Sequence, residues 1–232
     1  RWGEAYRWAE RRAGAVELIR RYAPDVLGAQ ELTAGMYSEL RDMLPEYAGA
    51  AAAAPGPNEP APWVFNATLV RRDRLELLEE EIFWLGTAGA RSRHAVCCLL
   101  RDRQNGQRFR HVNTHFPVEE AARRRVGEDF FARCARRAGT LPQVIGGDFN
   151  TVDLGAEAGA RGYTDTRPAG RPDGPDGSKI DRETHRIIPG STIDHLFVSR
   201  GIEVVEFRTV GDRVDGRYPS DHLPVLAIVR IG

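Results

Sequence analysis

Residues Gln143-Val144-Ile145-Gly146-Gly147-Asp148-Phe149-Asn150 run from apolar side chains through two glycines into an acid, an aromatic ring and an amide. The β-branched Val144-Ile145 pair predicts a strand over 143–147, and a period of two then puts Asp148 and Asn150 on one face where the strand ends. Glycines there let a ligand or another backbone come close. A carboxylate so placed can orient or deprotonate an attacking water, and an amide N–H can stabilise charge developing on a phosphoryl oxygen. The same residues also suit an ordinary turn, since Gly-Asp and Asp-x-Asn are turn formers.

Four further polar clusters stand where apolar runs stop, the place where a sheet can present side chains to a cleft without disturbing its core. Gln30-Glu31 closes a run over 25–30, and Glu31 offers oxygen to a hard divalent cation, the competing reading being a solvated loop residue. In Val112-Asn113-Thr114-His115, alternation places Asn113 and His115 on the same face. His115 can donate to a phosphate or protonate a leaving oxygen, or be a satisfied structural histidine. Ser220-Asp221-His222 precedes the apolar run 223–228; Asp221 can complete a metal shell, and His222 can be a general base or a phosphate contact. Asp194, in Asp194-His195, can accept a hydrogen bond from His222, hold its tautomer and raise its pKa.

Around these clusters the apolar pattern predicts an amphipathic helix over 4–21, stopped by Pro24, and a short one around Met36, Leu40 and Met43, stopped by Pro45. A third, polar and Arg-rich helix is expected over 119–138. Strands are expected over 25–30, 64–71, 75–84, 94–100, 108–116, 143–147, 192–199, 204–210 and 223–231, with a hairpin at Gly106. The Pro-rich stretch 50–62 reads as a loop. Residues 155–189 have no clear period and read as a long loop or lid. Many strands with few helices between them argue for a single sandwich domain over 1–232, not for regular βαβ alternation.

The 232 residues are 41% hydrophobic and 28% charged, with 33 Lys+Arg balancing 33 Asp+Glu. That composition is globular and excludes disorder, collagen and coiled coil. Charges interrupt every apolar run, so no membrane span is expected. Zero net charge argues against a protein that coats nucleic acid, although a local basic face stays open. Cys97, Cys98 and Cys134 cannot all pair within the chain and are expected as reduced core thiols. The absence of a basic-then-apolar leader favours the cytoplasm, while the opening at Arg1 without Met leaves export open.

The five clusters, in order and each at a strand end, resemble the endonuclease/exonuclease/phosphatase superfamily, also called deoxyribonuclease-I-like. The resemblance is carried by Pro24-Asp25-Val26-Leu27-Gly28-Ala29-Gln30-Glu31, Asn113-Thr114-His115-Phe116, Gly147-Asp148-Phe149-Asn150, Ile193-Asp194-His195-Leu196-Phe197-Val198-Ser199 and Ser220-Asp221-His222-Leu223-Pro224-Val225. Weaker echoes are Asn66-Ala67-Thr68-Leu69-Val70, Phe83-Trp84-Leu85 and Arg93. The resemblance implies an α/β fold, a four-layer sandwich of two mixed β-sheets with helices on the outer faces, and a Mg²⁺-dependent phosphoesterase site at one edge, with Mn²⁺ as the other candidate ion. It implies Glu31 as metal ligand assisted by Asp221, and His115 as phosphate or leaving-group contact. Asp148 would orient or activate water, Asn150 would stabilise the transition state, Asp194 would orient His222, and His222 would be base or phosphate contact. Asn113 and Arg93 are expected to bind substrate. In-line attack of water on phosphorus fits these parts.

Members of this superfamily usually begin with an Asn-bearing strand that helps bind the metal, and no such strand is present in the sequence. The segment Phe116-Pro117-Val118-Glu119-Glu120 also departs from the superfamily's pattern after the histidine. The expected activity is hydrolysis of a small phosphoester, with DNA or RNA as the alternative substrate and no obligate protein partner. Two rivals are a non-catalytic phosphate-binding module on the same scaffold and a zinc hydrolase built on His115, His195 and His222. Oxygen donors outnumber imidazoles and suit Mg²⁺ or Mn²⁺ better than zinc.

Overall fold

The structure, a computed structural model, describes residues 7–50, 64–86 and 93–232. The start of the helix expected over 4–21 and nearly all of the loop expected over 50–62 lie outside them. The chain runs α1 (Trp8–Tyr22), β1 (Val26–Leu32), α2 (Ala34–Met43), β2 (Tyr47–Ala50), β3 (Phe65–Arg71), β4 (Leu75–Trp84), β5 (His94–Asp102) and β6 (Arg108–His115). It continues through α3 (Glu120–Ala138), β7 (Gln143–Asp148), α4 (Gly155–Gly159), β8 (Tyr163–Asp165), α5 (Thr166–Ala169), β9 (Pro172–Asp173), β10 (Asp194–Ser199), β11 (Ile202–Thr209) and β12 (Val225–Ile231).

Strands that are apolar at nearly every position belong inside, covered on both faces. The run His94-Ala95-Val96-Cys97-Cys98-Leu99-Leu100 is such a strand, and β5 accordingly sits within a six-stranded sheet ordered β4-β5-β6-β7-β10-β8. The β6–β7 pair is parallel and the other pairs are antiparallel, so the sheet is mixed. One face carries two three-stranded sheets, β1-β3-β2 over β5, β6 and β7, and β12-β11-β9 over β10. Helices α1 and α2 cover β1 and β3 from outside through Val16, Ile19, Met36 and Leu40. On the opposite side of the central sheet, Val126, Phe130, Phe131 and Cys134 of α3 pack on Phe83, Val112, Ile145 and Phe197.

The four layers of the expected sandwich are therefore present, with the outer sheet in two parts where one continuous sheet was expected. β1 and β12 are edge strands that face a common cleft of about 1250 Å³. The residues 155–189 are not one irregular loop, since their first half forms α4, β8, α5 and β9 and β8 extends the central sheet beside β10. These elements are too short to show a period. All three cysteines are buried free thiols, as expected, and no described helix is long and apolar enough to cross a membrane.

Phe116 and Phe149 fix the end of the central sheet. Each follows a site residue, and alternation turns each ring into the core while its neighbour faces the cleft. Their centroids are 4.8 Å apart, and Phe149 also meets Phe131 and Phe197. All four rings are at most 1% exposed. Burial of about 1.5–3 kcal/mol per ring, plus about 0.5–1.5 kcal/mol per favourable ring pair, holds the polar row above them in place.

Candidate active site

Three neighbouring strands deliver a row of polar side chains. In the β6–β7 register His115 lies opposite Asp148, and in the β7–β10 register Asp148 lies opposite Asp194. Gly147 makes this alignment possible, since its φ is +155° and a Cβ would stand 2.0 Å from the Thr114 carbonyl oxygen. Only a residue without a side chain lets β6 and β7 approach so closely there. Asn150 turns back in the left-handed region at φ 52°, with its backbone N–H donating to Asp148 Oδ1 at 2.8 Å. A bulge between Ala29 and Leu32, with Glu31 at φ 57°, bends the end of β1 and brings Glu31 Oε1 to 4.0 Å from His115 Nδ1.

The hydrogen-bonding pattern assigns protons. Arg93 Nη1 lies 2.8 Å from His115 Nδ1, and a guanidinium only donates, so the His115 proton sits on Nε2. Nε2 is 3.3 Å from Asp148 Oδ2 and 3.1 Å from Asn150 Nδ2, and that amide donates to the Phe116 carbonyl at 3.0 Å. Burial, reinforced by the charges of Arg93 and His222, lowers His115 to about 3, so the ring is neutral. His222 is the opposite case. Burial alone would lower its pKa, but the hydrogen bond to Asp194 and the charges of Asp194, Asp148 and Asp221 prevail and raise it to about 9. Its Nδ1 is 2.9 Å from Asp194 Oδ2, and the same oxygen accepts from Ser178 Oγ at 2.6 Å. Burial, then the charge of Asp194, raises Asp148 to about 6.

The structure thus brings His115, Asp148, Asn150, Asp194 and His222 into one cleft, with Arg93 behind His115. Asn113 does not belong to the substrate surface. It has no exposed area, donates to the Ala29 and Ala67 carbonyls at 3.0 and 2.7 Å, and accepts from Gln30 Nε2 at 2.7 Å. It ties β1 and β3 to the central sheet, and the correction has a simple cause: alternation fixes a face but not the layer that covers it. Asp221 borders the cleft, but its Oδ2 is held by Arg182 at 2.8 Å, so its carboxylate is engaged outside the row. His195 does not join a zinc set. On the far face of β10 it stacks against Phe197, and its two nitrogens lie 3.2 Å from Asp165 Oδ2 and 2.9 Å from the Thr151 carbonyl.

Three residues escaped the sequence reading. Ser178 braces Asp194, Arg182 holds Asp221, and Arg11 enters the cleft from α1 with Nη1 3.0 Å from the Pro219 carbonyl. Burial lowers the Arg11 pKa against the pull of Asp221 and Glu31. None had a local signal, because each acts through a partner far along the chain.

Asp148, Asp194 and His222 offer ligand atoms within 4.8 Å of one another. The protonated imidazole is a poor ligand, whereas the two carboxylates are oxygen donors of the kind hard cations take, and Glu31 lines the same cleft outside that group, 4.0 Å from His115. Burial first, and the charge of Asp194 second, disfavour ionised Asp148, and a cation bound there would offset both. The donor set therefore fits Mg²⁺ or Mn²⁺.

The family model described as the Endonuclease/Exonuclease/phosphatase family matches residues 2–222. The chain belongs to that family. A search of curated proteins returns no match. Among solved structures, the chain is similar to mannosyl-6-phosphatase of Bacteroides thetaiotaomicron, at 20% identity and TM-score 0.84 over 98% of this chain and 93% of that one. Another Bacteroides thetaiotaomicron structure, an endonuclease/exonuclease/phosphatase family protein, aligns at 21% identity and TM-score 0.86 over 98% and 91% of the two chains. D. rerio TDP2 complexed with a single-strand DNA product aligns at 19% identity and TM-score 0.77 over 96% and 92%. At these identities the alignments establish the shared fold.

Proposed function

We propose that this family member is a divalent-metal-dependent phosphoesterase that hydrolyses a small phosphoester by in-line attack of water. The observation that carries the reading is the row His115–Asp148–Asp194 across three strands, closed by the His222–Asp194 pair. Glu31 and the Asp148 and Asp194 carboxylates are the oxygens that would hold Mg²⁺ or Mn²⁺. When bound, such an ion supplies Lewis-acid withdrawal of charge from the phosphoryl oxygens. Asp148 is a carboxylate at neutral pH and stands where it can orient the water and take its proton. His222 is an imidazolium near neutrality, so it serves as a cationic phosphate contact or proton donor in preference to a base. Neutral His115 donates from Nε2, and the Asn150 amide stands beside it as a second group for a phosphoryl oxygen.

A small substrate is favoured over nucleic acid because the net charge is zero and part of the Arg-rich face of α3 is engaged within the protein. Arg133 and Arg137 lie over the Phe83 ring, Arg137 pairs with Glu81, and Arg124 pairs with Glu120. Mannosyl-6-phosphatase, as one structural relative is called, acts on a phosphorylated sugar by its name, while the D. rerio TDP2 structure holds DNA product. The test is hydrolysis of bis(p-nitrophenyl) phosphate and p-nitrophenyl phosphate with Mg²⁺, Mn²⁺ or chelator, by the wild type, Asp148→Ala and His222→Ala. Metal-dependent turnover lost in both variants is expected. Turnover that ignores the chelator, or survives both substitutions, overturns the reading.

A further inference from the structure

Lys179 is the only lysine in a chain with 33 Lys+Arg residues, and it borders the active-site cleft. Its placement follows from backbone hydrogen bonds. Ile180 N–H donates to the Asp221 carbonyl and Leu223 N–H to the Ser178 carbonyl, so Lys179 and His222 face each other as an antiparallel pair. Because the bonds are made by the flanking residues, this is the pair type with the closer Cα atoms, about 4.5 Å apart, and with neighbouring side chains on one face. The His222 side chain turns to Asp194, so the Lys179 side chain stands over the same cleft.

The other cations at this border have partners within the protein. Arg182 pairs with Asp221, His222 with Asp194, Arg11 donates to the Pro219 carbonyl and Arg93 to His115. The Lys179 ammonium makes no side-chain hydrogen bond or ion pair among the described residues, although Glu31, Asp148, Asp194 and Asp221 border the same cleft. Its charge is therefore not taken up by a described side chain of the protein. On the proposed reading, a phosphoryl group over the row would meet His115, Asn150 and His222. A compact positive charge one cross-strand position further out matches a second anionic group on the same molecule.

Resting on the phosphoesterase reading of the cleft, we propose that Lys179 is a specificity residue that binds a second phosphate of the substrate, so that the preferred substrate is a bisphosphorylated small molecule. Side-chain length and register set the spacing, and Ser178 and Ile180, both buried, fix the backbone on either side.

The test compares dissociation constants of adenosine 5′-monophosphate and adenosine 3′,5′-bisphosphate at one free Mg²⁺ concentration, for the wild type, Lys179→Met and Lys179→Arg. A preference of about tenfold or more for the bisphosphate is expected in the wild type, as for one charge-assisted contact. It should vanish in Lys179→Met and persist in part in Lys179→Arg. A wild type with no preference, or a Lys179→Met protein that keeps it, overturns the proposal. Hydrolysis of bis(p-nitrophenyl) phosphate by the wild type is measured in parallel. Its absence would sink the phosphoesterase reading while the affinity ratio still reports on Lys179.

Discussion

His222 and Asp194 form a hydrogen-bonded pair, Nδ1 to Oδ2 at 2.9 Å, between residues 28 positions apart. The pair makes His222 a cation at neutral pH, and Ser178 holds the carboxylate from the other side at 2.6 Å. Asp194→Asn should return the His222 pKa toward its ordinary value, visible in an NMR titration of the ring, and lower kcat/KM by about 10²-fold or more. The folded pKa of about 9 lies above the unfolded value of about 6.5. The pair therefore stabilises fully below about 6.5, and that stabilisation is lost as pH rises through about 9. Thermal denaturation across that window should show the loss in the wild type and not in Asp194→Asn.

Activity should follow a bell in pH. Its acid limb belongs to ionisation of Asp148, which a bound cation moves below the metal-free value of about 6, and its alkaline limb to loss of the His222 proton, which the cation likewise moves below about 9. The wild-type rate–pH profile of kcat/KM checks this: a plateau bounded by both limbs is expected, and a profile that lacks either one overturns the assignment.

Asp148 is a site where function opposes stability. Its folded pKa of about 6 exceeds the ordinary carboxylate value of 3.8, so ionisation costs stability that is absent below 3.8, grows as pH rises from there to about 6 and is complete above it. Asp148→Asn should abolish activity yet raise Tm at pH 8, by about 2–4 °C for each kcal/mol relieved, with little effect at pH 4. Adding Mg²⁺ should raise the wild-type Tm and do less for the variant.

Gly147→Ala should be among the most damaging single-methyl additions. The new Cβ would press on the Thr114 carbonyl at a φ of +155°. Strain and displaced strand pairing should cost on the order of 2–4 kcal/mol, read as a shifted urea midpoint, and should separate His115 from Asp148.

Asn113→Leu should leave the Ala29 and Ala67 carbonyls without their buried donor, at about 1–3 kcal/mol each. A substrate contact would instead raise KM with stability unchanged. Denaturation and kinetics on the same variant distinguish these outcomes.

The order of the polar clusters and the strands that carry them could be read from alternation and apolar runs alone. The sequence-based strand over 75–84 coincides with β4, and the limits of the other strands expected in the described chain move by only one or two residues. These are local properties: a period of two and a β-branched run act through neighbouring residues, whatever the rest of the chain does. The short elements within 155–189 escaped because they are held by contacts made elsewhere, such as Tyr163 hydroxyl to Gln143 and Phe207 N–H to Gly170.

By itself the sequence determined the layered α/β class, the buried thiols and which residue types stand at strand ends. Tertiary structure alone decided that Asn113 is a tie between layers, that Asp221 is held by Arg182, that His195 faces the core, and which proton each site histidine carries. Protonation, burial and hydrogen-bond partnership depend on atoms brought together from distant positions, and strand alternation specifies a face without specifying what packs against it.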